Sequence, residues 1–150
     1  MKPKNSPFCP AVARRLGLGE SVRFLGAVPP GPPVEQFLDG IDLFVLVSHT
    51  EGLPRALVEA MARGCPAIGS HVGGIPELLE PEDLVRPGDF EQLAAKIMEV
   101  LREPGRLCSM AGRNHSKAHY FSPEQLQATR REFFEEVRRR SGPAPGDLAG

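Results

Sequence analysis

The short signatures that usually announce a chemistry are missing from this chain of 150 residues. It has no Asp-x-Asp pair, no Gly-x-Ser-x-Gly elbow and no Gly-x-Gly-x-x-Gly loop, and Ser48 and Ser70 have no nucleophile machinery beside them. Cysteine is scarce: Cys9, Cys65 and Cys108 cannot all pair and none sits in a Cys-x-x-Cys arrangement, as expected of reduced thiols in a cytoplasmic protein. No apolar run approaches the roughly 18 residues that a membrane-spanning helix needs. The segment Met1 to Pro7 is followed by no apolar core of a secretory signal. Charge of one sign is lacking too. Lysine plus arginine number 18 against 19 for aspartate plus glutamate, a net charge of -1, so nucleic acid is not expected as a partner.

What is present is the balance of one soluble globular domain, 41% hydrophobic and 25% charged. Sixteen glycines and sixteen prolines imply many tight connections. Val22 to Gly26 is a short apolar run that predicts a strand, closing into the loop Pro29 to Pro33, and Val34 to Leu38 suits a short helix. Asp42 to Val47 is almost continuously apolar, which predicts a strand buried on both faces and hence a parallel sheet between helices. The polar elbow Ser48 to Leu53 leads to Pro54, suited to the first position of a helix reaching Arg63 and ended by Gly64.

Pro66 to Ser70 predicts a second buried strand, Gly73-Gly74 its turn, and Pro76 the start of a short helix. A brief strand at Leu84-Val85 precedes Asp89, a natural N-cap for a helix from Phe90 to Arg102. Helices are expected from Gly105 to Tyr120 and from Pro123 to Arg140, the second capped by Ser122 with Gln125 three residues on. Residues 1–140 then form the domain, and 141–150 a disordered tail. The alternation of strand and helix predicts an α/β, Rossmann-like, three-layer αβα fold with a parallel sheet. Its ligand belongs beyond the carboxyl ends of the strands, at the loops Ser48 to Leu53 and Ser70 to Gly74.

Glu51 and Glu59 are eight positions apart, a span of at most about 12 Å. That distance suits an extended polar ligand held at two points, not a metal or a carboxylate dyad. On spacing alone, though, Arg55, Glu59 and Arg63 fall at i, i+4 and i+8 and read as an ordinary surface ladder. The first amides of the helix after the elbow, Arg55 and Ala56, can receive an anion, and the Gly73-Gly74 turn offers a second such place. Double glycine also serves any strand-to-helix turn. Cys108, His115 and His119 lack a fourth metal ligand. His49 and His71 sit at the ligand edge, where a solvated loop histidine is the ordinary case.

The run Glu51 to Pro66 (EGLPRALVEAMARGCP), with Ile68 to Leu79 (IGSHVGGIPELL), resembles the donor-binding half of the family 4 retaining glycosyltransferases and carries their E-x7-E motif. Val22 to Gly26, Asp42 to Ser48 and Val85 to Asp89 match weaker landmarks in the same order, so the resemblance covers about Ala11 to Arg140. It implies one half of a GT-B enzyme, which faces a second Rossmann-like domain across a cleft and holds a nucleotide-sugar. Carried onto this sequence, Glu51 would bond hydroxyls of the transferred hexose and act in catalysis, with the Gly52 and Leu53 amides beside it. Glu59 would take the ribose hydroxyls, which displaces the ladder reading. The Arg55 amide, with Gly73 and Gly74, would meet the diphosphate. Pro54 has no N–H where many relatives have glycine.

No metal and no other cofactor are implied, in agreement with the missing Asp-x-Asp. The family's Arg and Lys for the leaving diphosphate would lie upstream of Met1, and Lys2, Lys4, Arg14 and Arg15 do not replace them by motif. The chain is therefore expected to lack the first strands of its sheet and the acceptor domain. It should be inactive alone and prone to self-association, with any peripheral membrane contact belonging to the missing domain. The acceptor would be a glycan, a lipid or a small molecule. Two other readings remain: a non-catalytic interaction module with a degenerate GT-B fold, and a sugar-nucleotide epimerase-like enzyme.

Overall fold

The computed structural model describes residues 8–141, and the chain divides between Phe37 and Leu38 into two units. The expected tail at 141–150 lies outside the described residues except for Ser141, the last residue of a helix. Lys2 and Lys4 lie outside them too. In the first unit, helix α1 (Phe8–Arg15) ends at Gly17, whose φ of 71° lets the Gly17 and Leu18 amides turn back onto the Arg14 and Ala13 carbonyls.

The strand expected at Val22 to Gly26 does not form. These residues enter no ladder, and Val22, Phe24 and Leu25 are exposed. Apolar β-prone sequence becomes a strand only where a neighbouring strand supplies hydrogen bonds and a face to pack on, and the unit that contains this run has no strand among its described residues. Helix α2 (Pro32–Asp39) starts earlier than the sequence suggests, because Pro32 and Pro33 occupy the first turn, where a missing N–H costs nothing.

The second unit holds the sheet. β1 (Phe44–Leu46), β2 (Ala67–Ser70) and β3 (Leu84–Val85) are parallel in the order β1-β2-β3. Phe44 stands against Ala67, and Ser70 against Val85. Helices α3 (Arg55–Ala62), α4 (Ile75–Leu78), α5 (Phe90–Leu101) and α6 (Pro104–Ala118) surround it. Alternation along the strands separates two cores. Ala67 and Leu84 face Leu57, Met61, Ile75, Leu78 and Leu79, whereas Ile68 and Val85 face Val100 and Met110. α6 serves both, with Met110 in one cluster and Ala118 in the other. This is the expected three-layer α/β arrangement with a parallel sheet.

β2, the central strand, is buried at every residue, but β1 is only half-buried. The expectation for β1 fails because it is an edge strand with one ladder. A continuous apolar run reports helices above and below, not neighbours on both sides. Pro54 is the residue before α3, not its first, and Gly64 (φ 72°) ends the helix as expected. Asp89 caps α5 by accepting the Gln92 N–H at 2.9 Å. That bond, with Arg86 alongside, holds its carboxyl below the usual range. α6 gives way at His119 to a short 3-10 turn, and the Gln125 N–H donates to Ser122 Oγ at the start of α7 (Pro123–Ser141). No described helix is long and apolar enough to cross a membrane.

Asn114 of α6, 2% exposed, donates from Nδ2 to the Cys65 carbonyl at 3.0 Å, and the Cys65 thiol donates to the Leu38 carbonyl at 3.3 Å. Burial pushes that thiol's pKa up. Leu57 is fully buried at the junction of α3 with the sheet. Replacing it with alanine should cost about 2–5 kcal/mol, read as a lowered urea midpoint; a change below about 0.5 kcal/mol would contradict this packing.

Candidate functional site

The carboxyl ends of the three strands open into three loops, and two of them are locked together. The Gly74 N–H donates to the Gly52 carbonyl at 2.9 Å. A Cβ on Gly74 would stand 2.7 Å from that same oxygen, and one on Gly73 would collide with the Glu51 carbonyl oxygen. Gly73 also has φ 52°. Glycine is required here twice over, by the close approach of two backbones and by the left-handed conformation. The double glycine is thus first a docking surface for the elbow. At this second expected anion place the Gly74 amide is committed to Gly52, and the helix that follows, α4, has four residues.

Within the elbow, Glu51 is half-buried and accepts from Ser48 Oγ at 2.7 Å on Oε1. The Ser48 N–H donates to Ser70 Oγ at 2.9 Å, and Ser70 is 1% exposed. Gly52 and Leu53 are exposed on the outer side. The third loop, after β3, lies close by: the His49 ring approaches Gly88, where a Cβ would be 3.3 Å from Cε1. Residues Arg86 to Glu91 line an open hollow of about 500 Å³ there. His71, also at this edge, is exposed and its N–H donates to the Val85 carbonyl at 2.8 Å.

α3 begins at this edge without a side-chain cap. The Leu57 and Val58 amides return to the Pro54 carbonyl, which leaves those of Arg55 and Ala56 as the unclaimed donors of the first turn. One turn on, Glu59 is exposed and its carboxylate has no hydrogen bond or ion pair among the described residues. The Arg55-Glu59-Arg63 ladder does not form. Arg63 instead grips Asp39, with Nε 2.7 Å from Oδ1, and this bond holds the Asp39 carboxyl below its usual range.

No three His, Cys, Asp or Glu side chains come together among the described residues in a way that could hold a metal ion. The His115 Nδ1 lies 3.1 Å from the Ala62 carbonyl, and its ring meets that of His119 edge-on at 5.2 Å. The structure therefore brings Glu51, Gly52, Gly73 and Gly74 into one cluster, with Leu53 and Arg55 on its rim and Glu59 further along α3. The sequence reading passed over Ser48 and Ser70 because it asked only whether they were nucleophiles. The signal was a pair of hydroxyls, one just past the end of β1 and one at the end of the buried β2.

A parallel sheet layered between helices, with its loops gathered at the carboxyl edge, is a Rossmann-like arrangement, and its structural neighbours are half-domains of the GT-B type. The family profile described as glycosyl transferases group 1 matches residues 10–118, and the chain belongs to that family. It is 38% identical over 92 residues to the amylovoran biosynthesis glycosyltransferase AmsK of Erwinia amylovora, covering 55% of this chain and 22% of that protein. To the N-acetyl-alpha-D-glucosaminyl L-malate synthase of Bacillus anthracis it is 35% identical over 101 residues, 64% of this chain and 26% of that one. Among solved structures, the Anabaena protein HepE in complex with UDP superposes with a TM-score of 0.79 at 27% identity, over 86% of this chain and 36% of that chain. The chain thus spans about a quarter of the length of these curated relatives.

The docking of the two loops is open to a direct check. Gly73→Ala should destabilise the fold by at least ~1–2 kcal/mol, from the left-handed φ alone, in urea denaturation. Gly52→Ala, where a Cβ meets nothing within 4 Å, should stay within about 0.5 kcal/mol. Equal effects of the two would show that the approach of Glu51 to Gly73 is not a constraint.

Proposed function

We propose that this chain is the donor-binding part of a family 4 retaining glycosyltransferase, a longer cytoplasmic GT-B enzyme that moves a hexose from a nucleotide-diphosphate sugar to an acceptor without a metal. The observation that carries the reading is one helix end. The unclaimed Arg55 and Ala56 amides of α3 adjoin a fixed Glu51 carboxylate, and a partnerless Glu59 follows one turn later. Amides with the helix dipole behind them suit a diphosphate. A carboxylate fixed in the elbow suits sugar hydroxyls, and a free carboxylate on an exposed helix face suits a ribose diol. The likeness to a protein solved with UDP supports the nucleotide part of this reading.

In this assignment Glu51, Gly52 and Leu53 meet the sugar, and Glu51 also serves catalysis. The Arg55 amide meets the diphosphate. Gly73 and Gly74 act on it through the elbow they support, a more indirect role than the sequence suggested. Departure of the nucleoside diphosphate also needs cationic charge, which an Arg and a Lys on an earlier loop of the donor domain would supply, and a closed, dry cleft, which a second domain would complete. The 150-residue chain alone is then a donor binder with no transfer activity.

Titration calorimetry of the chain with UDP-glucose, GDP-mannose, UDP and GDP tests this. Binding of at least one nucleotide pair is expected, and no binding of any would overturn the reading. Glu51→Ala should weaken the nucleotide-sugar by about 10- to 150-fold, the loss of charge-assisted bonds of about 1.5–3 kcal/mol, and leave the free nucleotide nearly unaffected. Glu59→Gln should weaken sugar-nucleotide and free nucleotide alike. In the complete enzyme it should therefore raise the donor KM with little change in kcat. A fall in kcat at constant KM would assign Glu59 another role.

A further inference from the structure

We infer that Ser48 and Ser70 are positioning residues that hold the Glu51 carboxylate at the ligand edge, an inference that rests on the donor-binding reading of Glu51. The parallel ladder between β1 and β2 starts with the Phe44 N–H on the Pro66 carbonyl at 2.9 Å. Each rung advances two residues on both strands, so the rung at Ser48 would use the Ser70 carbonyl. That carbonyl is taken by the Val72 N–H at 2.8 Å. The side-chain oxygen of the same residue substitutes for it, and the Ser48 N–H donates to Ser70 Oγ at 2.9 Å. The main chain thereby leaves the sheet with its amide satisfied, in a place where an orphaned donor would be costly.

Leaving the sheet at Ser48 turns its hydroxyl toward the elbow. Ser48 Oγ donates to Glu51 Oε1 at 2.7 Å, the short length of a hydroxyl bound to a carboxylate. One oxygen of Glu51 is held in this way, and Oε2 has no partner among the described residues. A flexible glutamate is so reduced to one rotamer with one oxygen offered to a ligand, and the entropy of ordering it is spent on folding and not on binding. The chain of bonds runs from the fully buried end of β2 outward: Ser70, Ser48, Glu51. Neither serine need touch the ligand.

The test uses the 150-residue chain with Ser48→Ala, Ser48→Thr and Ser70→Ala. The first readout needs no ligand: the scalar couplings that report the Glu51 χ1 rotamers by NMR. A single rotamer is expected in the unaltered chain and in Ser48→Thr, which keeps the hydroxyl, with averaging in Ser48→Ala and Ser70→Ala. The second readout is calorimetry with UDP-glucose and GDP-mannose against UDP and GDP. Ser48→Ala should weaken nucleotide-sugar binding roughly 3- to 10-fold, the range of one lost hydrogen bond, and Ser48→Thr should restore it. Free nucleotide affinity should not move in any variant. Glu51 couplings unchanged in Ser48→Ala would overturn the positioning role, even if donors bind. Absence of donor binding in the unaltered chain would instead overturn the donor reading, and the couplings would still decide whether the serines fix Glu51. Should Ser70→Ala fail to fold, the Ser48 pair alone decides the matter.

Discussion

Two peptide backbones touch at the ligand edge, and the arrangement of the site follows from that contact. The Gly74 N–H on the Gly52 carbonyl joins the loop after β2 to the loop after β1. Because a side chain at Gly73 or Gly74 would push the elbow away, the separation of the loops is set by the absence of two Cβ atoms. The elbow then leads into α3 at a fixed height, and the first amides of that helix open beside Glu51. The same economy appears inside the sheet. A Cβ on Gly69 would lie 2.5 Å from Ile75 Cγ2, so α4 sits directly on β2 and brings the loop before it down onto the elbow.

A buried carboxylate secures the opposite side of the sheet. Asp83 is fully buried immediately before β3 and is met by two guanidinium groups from α6. Arg106 Nη2 stands 3.4 Å from Oδ1, and Arg113 reaches Oδ2. Arg106 also pairs with Glu99 of α5, and Arg113 with Glu82. Ions removed from water need this degree of pairing to persist. Even here the Nε atoms of both arginines are buried without a partner. The network ties α5 and α6 to the start of β3, and so determines where the third loop, Arg86 to Asp89, meets His49. Charge in this protein holds the scaffold on one side and is left uncommitted at Glu59 on the other.

Most of this order is legible in the sequence, and the failures have a common cause. Gly64, Asp89 and Ser122 act through their own backbone neighbourhood, so their roles as helix punctuation can be read locally and hold in the structure. β2 is legible as well, since a short apolar run between two helical patterns has few other meanings. Val22 to Gly26 and the edge position of β1 could not be read in the same way, because both depend on which strand lies alongside, and periodicity reports faces without reporting neighbours. The double glycine was legible as a turn but not as a docking surface, a property of two segments some twenty residues apart. Ser48 and Ser70 escaped for the same reason. Each is unremarkable alone, and only the parallel register brings one hydroxyl to the other's amide.

Glu59 shows how a surface residue can be placed as firmly as a buried one. Its i, i+4 partner Arg63 is drawn away by Asp39 at the end of α2, and exposed pairs of this kind are worth so little that either pairing would be tolerated. What fixes Glu59 is the opposite face of its helix. Leu57, Ala60 and Met61 are fully buried, so α3 can neither roll nor slide without opening the core. Along a helix so held, four residues from Arg55 to Glu59 are a rise of about 6 Å. The helix is a ruler whose zero is set by the elbow and whose scale is set by backbone geometry. Two polar points on one extended ligand can be matched to such a ruler without any contact between the residues that grip them, and a carboxylate at its far mark serves best when no neighbour claims it.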